Sequence, residues 1–139
     1  MIDIENDVFD TVATALRSAY SGIWVSGEFV DSPAKFPAVT IVEADNRVFE
    51  RMRTDNIENA TQVMYEVQIY SNKASGKKAE AKAIADTVDG VFASRGFTRT
   101  MRSQVANLKD ATIYRIVCRY EAIVGENGAN KFLIYQNNY

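Results

Sequence analysis

The sequence predicts one α+β domain, in which a mostly antiparallel sheet carries two helices on one face. Three observations predict this class. Two stretches place apolar residues at the three- and four-residue spacing of amphipathic helices. Two pairs of stretches alternate apolar and polar residues around a polar turn, as the strands of a hairpin do. Finally, 139 residues with 47% hydrophobic and 24% charged side chains suit a single globular domain, so we expect residues 1–139 to form one unit.

The two helices are predicted over residues 4–20 and 77–94. Asp3 precedes the first helix, where its carboxylate can cap the free N–H groups, and Gly22 follows the last turn. Gly96 ends the second helix in the same way. The apolar stripes consist of Val8, Val12, Ala15, Leu16 and Ala19 in the first helix and of Ala81, Ile84, Ala85, Val88, Val91 and Phe92 in the second.

The strands follow from alternation and from turn residues. The predicted order is a strand within 23–30, a hairpin of 38–53 with 61–71, a hairpin of 97–105 with 111–124, and a short strand or tail over 131–135. If the helices cover one face of the sheet, the other face carries Glu66, Gln68, Arg115, Arg119 and Glu121.

The first hairpin is predicted to be long and to protrude. A straight strand over residues 38–53 would be about 50 Å long at ~3.3 Å per residue, whereas a domain of this size is about 36 Å across. In the outer part of this hairpin, residues 45–61, the stretch 47–53 alternates charge and is not apolar enough for a core. An arm of this kind usually contacts another chain, which makes Arg47, Glu50, Arg51 and Arg53 candidate interface residues.

The chain contains no histidine. This excludes a Ser-His-Asp or Cys-His nucleophile, the common zinc sites and a facial-triad iron site within this chain. The single cysteine, Cys118, falls on the apolar side of a predicted strand, so we expect a packed thiol. These exclusions remove the commonest histidine-dependent sites, and our expectation for the chain is no enzyme activity and no cofactor.

Charge is unevenly distributed along the chain. The net charge is −2, but residues 1–31 carry −5 and residues 95–119 carry +5. A dedicated nucleic-acid-binding protein usually has a clear basic excess, which this chain lacks. A small DNA- or RNA-binding module that uses Arg95, Arg99 and Arg102 is therefore only an alternative hypothesis. No apolar run reaches the length of a membrane span, and the N-terminus is acidic, so we expect no membrane contact.

Three further patterns have a plain structural explanation beside a functional one. The run from Ser75 to Lys78 precedes a helix as a phosphate loop does, but it lacks the upstream glycine and the Ser/Thr after lysine. Two acidic pairs would suit Mg²⁺, although solvated surface acids are commoner, and a metal-dependent enzyme remains an alternative. These pairs are Glu43 with Asp45 on one strand face and Asp86 with Asp89 on one helix.

The order of elements includes a strand-to-helix signature and several characteristic runs. These are Pro37-Ala38-Val39-Thr40-Ile41-Val42-Glu43, Tyr65-Glu66-Val67-Gln68-Ile69-Tyr70-Ser71-Asn72, Gly76-Lys77-Lys78-Ala79-Glu80, Ala83-Ile84-Ala85-Asp86-Thr87-Val88-Asp89, Gly96-Phe97 and Ile113-Tyr114-Arg115-Ile116-Val117-Cys118-Arg119-Tyr120. Together they resemble the tail terminator (tail completion, or minor capsid) proteins of long-tailed bacteriophages, and the resemblance covers about residues 4–124.

The resemblance implies a virion structural protein that forms a hexameric ring. Such a ring caps the tail tube, stops its polymerisation and joins it to the head-side connector or adaptor protein. DNA passes through its lumen without sequence-specific binding. Assembly would take place in the host cytoplasm. Another neck component, such as a head completion or connector adaptor protein, is the alternative that the same pattern permits.

A ring needs two different contact patches on each subunit. We hypothesise that the acidic region 1–31 of one subunit faces the basic region 95–119 of the next, with Arg115 and Arg119 as its main basic residues. Residues 131–139 lie outside the resemblance, and an extended C-terminal arm is one expectation for them. Phe132 and Tyr135 in this segment are candidates for docking on a neighbour.

Overall fold

The computed structural model describes residues 2–48, 60–107, 110–127 and 131–135. In these residues the helices and strands follow the predicted order, and both helices lie within one residue of their predicted bounds. The elements are α1 (Glu5–Ala19), β1 (Trp24–Ser26), β2 (Ala38–Val48), β3 (Ala60–Ser71), α2 (Lys77–Ser94), β4 (Thr98–Ala106), β5 (Tyr114–Asn127) and β6 (Lys131–Tyr135).

The strands form one sheet in the order β1-β2-β3-β5-β4, and β6 also pairs with β5. Every pairing is antiparallel except that of β1 with β2, which is parallel and covers only three residues of each strand. The predicted α+β class with a mostly antiparallel sheet is confirmed.

Two strands share the second edge of β5. β3 pairs with β5 along its whole length, from Ser71 opposite Tyr114 to Ala60 opposite Gly125. On the other edge, β4 pairs with residues 114–121 and β6 with residues 123–127. β4 and β6 therefore lie end to end. Residues 131–135 of the expected C-terminal arm thus pair with β5 of the same chain, and residues 136–139 lie outside the described residues.

Both helices pack on the same face of the sheet, as predicted, and the main hydrophobic core lies between them and the strands. Each Val, Leu, Ile or Phe side chain fully buried here contributes about 1.5–3 kcal/mol to folding. Buried core residues are Val8, Val12 and Leu16 of α1, Ala81, Ile84, Ala85, Val88 and Phe92 of α2, and Val39, Ile41, Val63, Tyr65, Val67, Ile69, Ile116, Cys118, Tyr120, Ala122 and Val124 of the sheet.

The helix ends use the residues that the sequence singles out. Asp3 Oδ1 accepts a hydrogen bond of 3.0 Å from the backbone N–H of Glu5, at the start of α1. After α2, Gly96 has a φ of 89°, and the N–H of Phe97 donates to the carbonyl of Phe92 at 2.9 Å. This left-handed turn, with the Phe92 and Phe97 rings 5.1 Å apart, is a Schellman motif with its hydrophobic contact.

The first hairpin is antiparallel as predicted and belongs to the sheet as far as the pair Val48 and Thr61. Residues 49–59, the tip expected to protrude, lie outside the described residues. A β-bulge interrupts the register between Glu43 and Asp45. Glu43 lies opposite Tyr65 on the helix side, whereas Asp45 lies opposite Met64 on the other side. The expectation that Glu43 and Asp45 share one face is therefore wrong, because the extra residue reverses the alternation.

The segment between β1 and β2 folds against the sheet face that the helices leave open. A second, smaller apolar cluster forms there from Ala38, Tyr70 and Ile113, with Trp24 and Phe36 packed against it. No helix in the described part of the chain is long and apolar enough to cross a membrane.

Candidate subunit interface

The open sheet face is the side of the sheet that faces away from the two helices. Cross-strand register places Glu66 opposite Arg119, Gln68 opposite Val117 and Met64 opposite Glu121 on it. The predicted distribution of polar residues is confirmed for all five predicted positions, which are Glu66, Gln68, Arg115, Arg119 and Glu121. This face is the first candidate for contact with another chain.

Arg115 holds the segment between β1 and β2 onto one end of the open sheet face. Its guanidinium donates to Gln68 Oε1 and lies 5.7 Å from the ring centroid of Phe29 and 5.5 Å from that of Tyr70. The Tyr70 hydroxyl lies 3.1 Å from the carbonyl of Val30, in the same segment. Burial raises the pKa of Tyr70. The contacts of Arg115 are thus made within the chain, as a structural cation–π and hydrogen-bond centre.

The other end of the open sheet face carries charged residues at its surface. Arg119 Nε lies 3.1 Å from Glu66 Oε1, across the β3–β5 pair. Arg47 donates to Gln62 Oε1 at 3.3 Å, and its Nε lies 3.8 Å from Asp45. Surface pairs of this kind contribute about 0–1 kcal/mol, so Arg47 and Arg119 can exchange partners at little cost.

Apolar side chains stand between these charges. Val42, Met64, Met101 and Ile123 are half-buried on the open sheet face, and both helices lie on the opposite side of the sheet. Methionine and arginine are both enriched at protein interfaces, and this face carries Met64, Met101, Arg47 and Arg119. The geometry therefore suits association.

The remaining predicted interface residues have no described side chain. Glu50, Arg51 and Arg53 lie outside the described residues. The backbones of Phe132 and Tyr135 belong to β6, where they pair with Glu126 and Ile123.

Two sheet edges are open in the part of the chain that the structure describes. β1 covers β2 only at Ala38–Thr40, so β2 has no strand on its outer edge from Ile41 onward. β4, which pairs only with β5, forms the opposite edge. Open edges are templates for pairing with another chain.

Three further arginines of the basic region 95–119 have acidic partners within the chain. Arg95 pairs with Asp7, Arg102 Nη1 lies 2.8 Å from Asp86, and Arg99 Nη1 lies 3.4 Å from Asp89. Asp86 is exposed and Asp89 is half-buried, and each pairs with an arginine of β4. These contacts provide a structural use for the two acids that were candidate Mg²⁺ ligands.

A groove of about 470 Å³ lies between α2 and β4, and we call it the basic groove. A bulge between Arg99 and Met101 brings Arg99 and Arg102 to the helix side of β4, since they lie opposite Tyr120 and Cys118. Lys78 and Lys82 were not predicted as interface residues, although their four-residue spacing on one helix was a signal. The lining is Lys78, Lys82, Arg99, Arg102, Ser103, Gln104, Tyr114 and Ile116.

Three carboxylates meet where α1 starts beside β2, and we call them the acidic cluster: Asp3, Glu5 and Glu43. One oxygen from each lies within 4.8 Å of the others. Burial raises the pKa of Glu43, and the charges of Glu5 and Asp3 add to the effect, against a hydrogen bond from Asn46. The cluster is a strongly negative point on the surface.

Cys118 is fully buried, and burial raises the pKa of its thiol. The burial confirms the expected packed position. A buried thiol with a raised pKa makes a poor nucleophile.

No protein-family model matches the chain, and no curated protein matches it. The element order and the surface geometry are therefore the basis for a functional proposal.

Proposed function

We propose that this chain is a structural subunit that assembles into a closed ring, and that the ring is the tail terminator of a long-tailed bacteriophage. The observation that carries the proposal is the pair of open sheet edges, β2 from Ile41 onward and β4, on opposite sides of one sheet. A closed ring repeats a head-to-tail contact, which uses two different patches on each subunit.

Two further observations support the proposal. The α+β fold and its element order are those that the resemblance to tail terminator proteins implies. The open sheet face also offers a mixed apolar and charged surface, on which Arg47 and Arg119 form only weak surface pairs. This face suits a second contact, with the tail tube protein or with the head-side connector or adaptor protein.

The chain's net charge of −2 is consistent with DNA passage through a ring. A lumen of the same sign as the phosphate backbone lets a duplex slide without binding tightly. The ring would act in the neck of the virion, after assembly in the host cytoplasm.

Electron microscopy of the purified protein tests the ring, and a polymerisation assay with tail tube subunits tests the termination. We expect six-membered rings with a central hole, and tubes that stop growing once rings are added. A protein that forms no ring, either alone or on tube ends, would overturn the proposal. Bovine serum albumin at the same concentration controls for nonspecific blocking of tube growth.

Another neck component, such as a head completion or connector adaptor protein, is the second candidate, since the same open edges would serve it. A tail terminator binds the end of the tail tube, whereas the other neck components bind the connector complex. Rings that bind connector complexes and leave tube growth unchanged would favour this alternative over the terminator.

A further inference from the structure

The basic groove carries positive charge that no acidic residue in the described part of the chain neutralises. Arg99 and Arg102 are already paired with Asp89 and Asp86. Lys78 and Lys82 are exposed and form no ion pair among the described residues. They lie one helical turn apart on α2, so both residues line the same wall of the groove. The groove therefore offers two free cations beside two paired ones.

The acidic cluster carries negative charge that no described basic residue neutralises. Asp3, Glu5 and Glu43 form no ion pair with any described cation, although their carboxylates are close together. Like charges at this distance repel one another, and a cation that approaches them relieves the repulsion. The cluster therefore gains more from an external cation than an isolated surface carboxylate would.

The two patches lie at opposite edges of the sheet, on the face that the helices cover. Glu43 belongs to β2, and α1 packs over that side, where Phe9 lies beside Gly27 at the end of β1. The basic groove lies along β4, at the other edge of the sheet. Both patches are on the helix side. Two complementary patches at opposite edges cannot meet within one chain, but they meet when copies associate head to tail.

We propose that the basic groove is the docking site for the acidic cluster of a second copy of this chain. The proposal rests on the ring of the proposed function and assigns its electrostatic contact. The basic residues of this contact are then Lys78 and Lys82 on the helix side, and not Arg115 and Arg119 on the open sheet face as the sequence suggested. Duplex DNA is the weaker candidate occupant, because the chain as a whole carries a net charge of −2 and lacks the basic excess of a nucleic-acid-binding protein.

The test uses two charge-reversed variants of the full chain and their mixture. The groove variant is Lys78→Glu with Lys82→Glu, and the cluster variant is Asp3→Lys with Glu5→Lys. Each is expected to weaken association at least about 100-fold, because like charges then face each other. An equimolar mixture is expected to restore the ring, since copies alternate and every contact again joins opposite charges. Sedimentation velocity measures both effects.

The matched control is Lys35→Glu with Lys73→Glu, which changes the net charge by the same amount at exposed lysines outside the groove. It is expected to assemble like the wild type. Circular dichroism checks the fold of each variant. If the cluster variant does not fold, the groove variant compared with this control decides the question.

The outcomes separate the two proposals. A groove variant that assembles like the wild type would overturn the docking site and leave the ring intact. A wild type that forms no ring, alone or on tube ends, would overturn the proposed function. Salt-dependent binding of duplex DNA that is lost in the groove variant, with assembly unchanged, would make the groove a nucleic-acid site instead.

Discussion

The ring of Phe92 in α2 stacks on that of Tyr120 in β5, with centroids 4.2 Å apart and planes 3° from parallel. Phe97 meets the Phe92 ring edge-on at 5.1 Å. The stack fastens the second helix to the centre of the sheet. It also positions α2, and with it Lys78 and Lys82, above β4 and β5.

Replacing Phe92 with alanine should lower the free energy of unfolding by about 3–5 kcal/mol, because it removes a buried aromatic ring and leaves a cavity. Urea denaturation measures the loss. Phe29→Ala is the comparison, since that ring is 49% exposed; it should cost about 1 kcal/mol, the size of its cation–π contact with Arg115. Equal losses at the two positions would contradict the central role of the stack.

Gly96→Ala should destabilise the protein by about 1–2 kcal/mol, because alanine is strained at the positive φ of this position. Gly90, inside α2 with open space around its Cα, is the matched control. Gly90→Ala should stabilise the protein by up to about 1 kcal/mol through helix propensity. Thermal unfolding of both variants checks the opposite signs.

Arg115→Ala should release the segment between β1 and β2. The change removes two cation–π contacts and the hydrogen bond to Gln68, and we expect a loss of about 1–3 kcal/mol. Limited proteolysis should cut within residues 27–37 faster than in the wild type. Arg17→Ala, at an exposed position of α1, should leave the cleavage rate unchanged.

Glu43→Gln should stabilise the protein at neutral pH and not at low pH. Burial raises the pKa of Glu43 in the folded state, so the folded protein favours the protonated carboxyl group. The stability that this group contributes is complete below the ordinary Glu pKa and is lost as the pH rises through the folded-state pKa. Glutamine keeps an acceptor for Asn46 and carries no charge. Urea denaturation between pH 4 and pH 8 should show the gain growing with pH. Exposed Glu28→Gln is the control, and a gain independent of pH would argue against burial as the cause.

Cys118 should react with Ellman's reagent only after unfolding. Its side chain is fully buried, and burial raises its pKa, so both access and thiolate formation are suppressed. We expect native labelling at least about 100-fold slower than in 6 M guanidinium chloride. Fast native labelling would mean that the central strand opens readily.

The sequence predicts the features that local patterns encode. The second helix and its end at Gly96 follow from apolar spacing and from glycine's tolerance of positive φ. The bulge after Glu43 and the parallel pairing of β1 were not predictable, because alternation indicates strands without stating register or neighbours. The partners of Arg99, Arg102 and Arg115 come from other parts of the chain. Charge counts along the sequence do not reveal these pairings, so they overstate how many arginines are available to bind another molecule.

The smaller apolar cluster contains Trp24, the chain's single tryptophan, whereas the main core contains tyrosine and phenylalanine rings. Tryptophan thus marks one face of the sheet only, whereas Tyr65 and Tyr120 lie on the other face and Tyr70 lies on the tryptophan side. Tryptophan fluorescence reports on the face held by Arg115, and near-ultraviolet circular dichroism of the tyrosines reports chiefly on the face under the helices. The native chain can therefore show, without any label, whether its two faces melt together or in turn.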